Sequence, residues 1–151
     1  MPSITIRHNI EVAHRLTMTA GKCKNIHGHS MWVELTIYGE IDEEGILGGI
    51  EFGAAKAAFR HYLNSTYDHH LLLNKDDPWT CFMGIEEQDD HLPGLTCVPD
   101  DPTTENIARW ICAWAENEFE LPVRVTVHET AVNAATVKSL DEPIHVARPG
   151  R

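Results

Sequence analysis

Residues 30–42, SMWVELTIYGEID, carry the clearest period of two in the chain, with Met31, Val33, Leu35 and Ile37 on one side and polar or aromatic residues mostly on the other. A helix would scatter those four apolar side chains around its axis, whereas a strand gathers them on one face. The chain must therefore build a sheet with one buried face and supply something to cover it. SITIRHNIEVAHRL (3–16) and VRVTVHETAV (123–132) alternate as further strands. FGAAKAAFRHYLNST places Phe52, Ala55, Phe59, Tyr62 and Leu63 at helical spacing, and so predicts a helix with one core face. A second helix follows in DDPTTENIARWICAWAENEFELP, with Pro102 and threonines at its start, Ile107, Trp110, Ile111 and Trp114 inside, and Leu121-Pro122 past its end. EEGILGG reads as a turn or short hairpin. From Leu71 to Pro102 the chain turns irregular and acidic, with EEQDD at 86–90, and is expected to form a long loop insert over about 75–101 that holds at most a short element. A last edge strand is expected around IHVAR (144–148). The order predicts an α+β fold, a mostly antiparallel sheet with two helices on one face, in a single domain over 1–151.

At 151 residues such a domain buries about two thirds of its unfolded surface and needs no staples. Four cysteines, at 23, 81, 97 and 112, are too irregularly spaced for a disulfide scaffold, and no CxxC pair suggests a closed zinc knuckle. Reduced thiols are expected, and with them a cytoplasmic protein. The first residues carry Arg7, His8 and Glu11 where a secretory leader needs an apolar run. No stretch approaches the roughly 18 apolar residues of a membrane span. A formal net charge of -11 opposes nonspecific binding to nucleic acid, which depends on cations displacing counterions. A nucleotide-sized substrate needs only a local basic cluster.

The chemistry concentrates in CKNIHGH, residues 23–29. In an extended segment His27 and His29 point to the same side, and Gly28 lets the neighbouring backbone come close. A catalytic zinc site takes three protein ligands and keeps one position open, and His14, near the end of the first strand, is the natural third. A pair of histidines at this spacing can equally be ordinary surface groups. Cys23 has three readings: a fourth ligand that closes the site, a buried inert thiol, or a thiolate base favoured by the cation and by Lys22 and Lys24. In YDHHLLLN, Asp68 can orient and charge-stabilise His69 as a dyad does; the plainer reading is a solvated loop after the helix. PTTE, 102–105, reads as an N-cap with an acid in the first turn. Glu129 falls in phase with Val123, Val125 and Val127, so a carboxylate stands on the apolar face. There it is costly unless it reaches solvent at the strand end or meets a partner such as the NH groups of a guanine-like heterocycle.

AHRL, CKNIHGH, a glycine turn before FGxxK, DHHLLLN, PTTENIARWI and the HET strand, in this order across residues 12–130, resemble the pterin synthase family that holds 6-pyruvoyl- and 6-carboxy-5,6,7,8-tetrahydropterin synthases. Three residues between the cysteine and HGH look like the carboxy branch. The resemblance implies a tunnelling fold in which sheets of several subunits join into a barrel, normally as a homohexamer with active sites at subunit interfaces. It implies Zn2+ on His14, His27 and His29, Cys23 as the base, and Asp68 with His69 as an acid/base pair. Glu129 would anchor the pterin ring, and Thr103, Thr104 and Glu105 would help hold it. The implied reaction takes 7,8-dihydroneopterin triphosphate to 6-carboxytetrahydropterin, acetaldehyde and triphosphate, an early step toward queuosine and other 7-deazaguanines. Arg15, Lys22 and Lys24 form the nearest basic cluster for the triphosphate. Departures from the family are Glu51 before the first helix where aspartate is usual, IEVAH where an aromatic and alanines are common, no tyrosine after HET, and the long acidic insert. Two other functions stay open: a pyruvoyl-forming or aldolase-like relative, and a noncatalytic metal-binding module.

Overall fold

A computed structural model describes residues 1–83 and 93–139. Its centre is the predicted pair of long strands, β1 (Ser3–His14) and β2 (His27–Tyr38), which run antiparallel from Ser3 opposite Tyr38 to His14 opposite His27. β5 (Val123–His128) lies antiparallel on the other side of β2. Met31, Val33, Leu35 and Ile37 are fully buried on one face, with Ile10 from β1 and Val125 and Val127 from β5. Each such side chain contributes about 1.5–3 kcal/mol from leaving water, which is why the register holds.

The helices that cover this face follow the predicted spacing. α1 (Phe52–Thr66) buries Ala55, Phe59 and Leu63, but Phe52, expected with them, is half exposed at the helix start. Before it, Ile41 pairs with Leu47 across the expected hairpin. The second helix, named α3 because a short α2 precedes it, spans Thr104–Phe119 and buries Ile107, Trp110 and Ile111. Trp114 is only partly buried: it stacks on Tyr62 of α1 at 4.1 Å between ring centroids and so joins the two helices.

The irregular reading of residues 71–102 needs correction. β3 (His70–Asn74) pairs parallel with the end of β1, and β4 (Leu95–Val98) pairs parallel with β3. Between them α2 (Pro78–Phe82) makes one short turn. A four- or five-residue apolar run buried in a parallel pair does not alternate, so period two could not reveal it. EEQDD lies outside the described residues. The last strand of the described chain is β6 (Ala134–Lys138), antiparallel to β5, ten residues before the expected edge strand, which also lies outside the described residues. The sheet order is β4-β3-β1-β2-β5-β6, mixed rather than purely antiparallel. Among the described residues no helix is long and apolar enough to cross a membrane.

Candidate functional site

The β1–β2 register decides the geometry. His14 stands opposite His27, and His29 stands two residues along on the same face. Their three donor nitrogens lie within 4.8 Å of one another, at the end of β1 and the start of β2. Gly28 passes the close point between the strands: a methyl carbon added there would stand 3.3 Å from the Val12 carbonyl oxygen.

Hydrogen bonds fix the protonation pattern of two of these rings. His14 Nδ1–H donates to the Pro102 carbonyl at 2.7 Å, and His27 Nδ1–H donates to the Asn25 carbonyl at 2.8 Å. With Nδ1 committed in this way, the neutral form of each ring keeps its lone pair on Nε2, the arrangement of a histidine prepared for a metal. Nε2 of His14 and of His29 are buried with no hydrogen-bond partner. Orphaned buried nitrogens cost about 1–3 kcal/mol each, and a divalent cation would satisfy them. Burial holds His14 below the usual imidazole range, with His27 and His29 adding to the effect against the Pro102 and Glu129 contributions. The ring is therefore neutral, as a ligand must be. Three imidazole nitrogens gathered this closely suit a divalent ion of borderline softness.

Glu129 leaves β5 at its end and reaches the same place. Its Oε1 lies 3.8 Å from His14 Nε2 and 3.9 Å from His29 Nε2, and accepts a 2.8 Å hydrogen bond from Thr104 Oγ1. The carboxylate in phase with the valines is thus partnered rather than merely solvated. Thr103 is the N-cap of α3, its Oγ1 accepting from the Asn106 amide, and Glu105 is exposed in the first turn.

Cys23 lies in a single 3-10 turn, Lys22–Lys24, ahead of β2; it is exposed and outside the donor group. The reading as a buried inert thiol is excluded by its exposure. Cys112 shows the contrast: burial, with Glu116 nearby, pushes its thiol up to about 12.

Asp68 and His69 form a pair, with His69 Nδ1–H donating to Asp68 Oδ2 at 2.8 Å. The pair also clamps β1, since the Glu11 amide donates to Asp68 Oδ1 and the His69 amide donates to the Glu11 carbonyl. Burial works to raise the Asp68 pKa, but the Glu11 amide and the His69 ring outweigh it and hold the carboxyl below its usual range. His69 sits at φ 60°, a left-handed conformation that costs a non-glycine residue roughly 1–2 kcal/mol, and its side chain is 77% exposed. The structure joins these two residues to each other and turns the ring toward solvent.

The expected basic cluster is broken up. Arg15 Nε lies 3.1 Å from Asp77, whose side chain is fully buried, and the guanidinium carbon lies 5.6 Å from the Trp79 ring centroid. Lys22 and Lys24 remain exposed. Sequence reasoning also passed over Asp77 and Asp101, two buried carboxylates in a stretch read as acidic loop. Burial cannot be read from an aspartate in an acid-rich run.

A family model described as 6-pyruvoyl tetrahydropterin synthase matches residues 3–139. A 6-carboxy-5,6,7,8-tetrahydropterin synthase of Rickettsia typhi is 31% identical over 111 residues, 72% of this chain and 75% of its own. The enzyme of the same name from Haemophilus influenzae is 25% identical over 126 residues, 82% and 88% of the two chains. The fold is similar to that of Plasmodium vivax 6-pyruvoyltetrahydropterin synthase, with a TM-score of 0.71 at 18% identity over 91% of this chain and 97% of that one. The α+β fold expectation for the single chain therefore holds, and with the family match spanning nearly all the described residues, the chain belongs to the 6-pyruvoyl tetrahydropterin synthase family.

Proposed function

We propose that the chain is a zinc-dependent 6-carboxy-5,6,7,8-tetrahydropterin synthase, a lyase that converts 7,8-dihydroneopterin triphosphate to 6-carboxytetrahydropterin, acetaldehyde and triphosphate. The observation that carries it is the convergence of three imidazoles, two with their Nδ1 protons committed to backbone carbonyls, on a point beside a held carboxylate. The names of the bacterial relatives favour the carboxy branch. In this reading the enzyme works in the cytoplasm, early in queuosine and 7-deazaguanine synthesis.

His14, His27 and His29 would hold the Zn2+. When bound, it supplies a Lewis acid to the side-chain oxygens of the substrate. Removing a proton from carbon beside a hydroxyl and an imine needs a base on one side and an acid or relay on the other. Cys23 is the base: it is exposed, in the turn Lys22–Lys24 just ahead of His27 and His29. Asp68 and His69 are the relay, because a carboxylate on Nδ1 leaves Nε2 of the ring to exchange a proton with substrate. Glu129 meets the pterin NH groups. Thr104 fixes its Oε1, and Oε2 makes no hydrogen bond among the described residues. Thr103 and Glu105, at the start of α3, complete that pocket.

The outward turn of His69 suits a pair that serves a neighbouring copy, as in the homohexamer we propose. Incubating the zinc-loaded protein with 7,8-dihydroneopterin triphosphate and identifying the product by mass spectrometry tests the reading. 6-Carboxytetrahydropterin and acetaldehyde are expected; a 6-pyruvoyl product would move the chain to the other branch, and no product would refute the enzyme. C23A should lose about 10²–10⁴-fold in turnover while keeping its zinc. A noncatalytic metal module would show no difference.

A further inference from the structure

His14 owes its orientation to the Pro102 carbonyl, and Pro102 is held by the residue before it. Asp101 is 7% exposed, and its carboxylate accepts three hydrogen bonds: from Thr17 Oγ1 at 2.6 Å, from the Met18 amide at 2.8 Å and from Asn74 Nδ2 at 3.1 Å. Thr17 and Met18 follow His14 by three and four residues, and Asn74 ends β3. The Asp101 carbonyl in turn accepts from Asn106 Nδ2 and from the Thr103 amide. One side chain therefore ties together the segment leaving β1, the end of β3 and the start of α3.

The four residues 101–104 then act as a unit on the cluster. Asp101 anchors, Pro102 receives the His14 ring, Thr103 caps α3, and Thr104 holds Glu129. We propose that Asp101 is a positioning residue for the metal centre: it fixes the Pro102 carbonyl against His14 and so sets the ring orientation and the metal affinity without touching the ion. The role rests on the reading of His14, His27 and His29 as metal ligands. Outer partners of metal-bound histidines typically govern about 10–100-fold in affinity, because a ring free to swing loses the arrangement that binding requires.

The test titrates chelator-stripped wild type, D101A, D101N and T17V with Co2+ against a competing chelator, following the visible cobalt bands and the thermal midpoint of each stripped protein. D101A should bind cobalt about 10–100-fold more weakly, with altered band intensities. D101N, which keeps one acceptor oxygen for Thr17 and Asn74, should recover part of the affinity. T17V removes the 2.6 Å bond alone and should shift affinity the same way by less, and it carries the test if D101A does not fold. A D101A or T17V protein with wild-type cobalt affinity and an unchanged spectrum would overturn the proposal, even with a lowered midpoint, because it would show a purely structural residue. Wild type that takes no cobalt would refute the metal reading itself, and is seen before any variant is compared.

Discussion

Gly28→Ala separates the demands of the fold from those of the site. The added methyl would meet the Val12 carbonyl oxygen at 3.3 Å and the Ala13 Cα and Cβ at 3.9 Å. The first contact is tight and falls on backbone, so β1 and β2 must part by a few tenths of an ångström at the Ala13–Gly28 pair. Overpacking costs about 1–3 kcal/mol in general, and this small displacement belongs at the lower end. Against it, replacing glycine stiffens the unfolded chain and returns about 0.4–1 kcal/mol. The net loss is therefore roughly 0–1 kcal/mol, a fall of no more than about 4 °C in thermal midpoint for a chain of this size. The site has no such compensation. His14–His27 and Val12–His29 are the pairs on either side of the parting point, so the spacing of all three imidazoles shifts with it. Chelator competition should show zinc affinity falling about tenfold or more, the scale of other geometric perturbations around metal ligands. Wild-type zinc affinity with an unchanged or raised midpoint would refute the idea that the close approach at Gly28 exists for the cluster.

Mixing two inactive variants tests the proposed interface: C23A and H69A, dissociated and reassembled together, should regain part of the wild-type turnover if base and relay come from different chains. Recovery no greater than the sum of the separate proteins would place both in one chain. Because burial lowers the His14 pKa, the unfolded chain binds the proton near its ordinary 6.5 while the fold resists it. Metal-free protein should therefore lose stability as pH falls below 6.5, with the loss from this residue levelling off once pH is below the folded value. Urea unfolding across pH 7 to about 5 should show a flatter profile for H14Q, and equal slopes would refute the assignment. The depressed carboxyls of Asp68 and Asp101 act in a separate window, their contribution being full above the ordinary 3.8 and lost as pH drops through their folded values.

The elements that follow one local period were legible without coordinates. Alternation placed β1, β2 and β5, helical spacing placed α1 and α3, and the period of two alone requires His27 and His29 to share a face. The same phase argument put Glu129 on the apolar side, where it is found beside the histidines. What period and spacing could not carry was everything decided by partners distant in sequence. The parallel pairing of β3 and β4 rests on LLLN and LTCV, runs too short to show a period. Arg15 looked available for a phosphate until Asp77, 62 positions away, was seen to hold it. The register that sets His14 opposite His27 depends on the whole apolar face of β1 and β2 finding one alignment against α1 and α3. Asp101, 87 residues from His14, enters the site only through that packing. Local sequence dictates which way a side chain points along its own element; which other side chain it meets is a property of the long-range contacts that close the core.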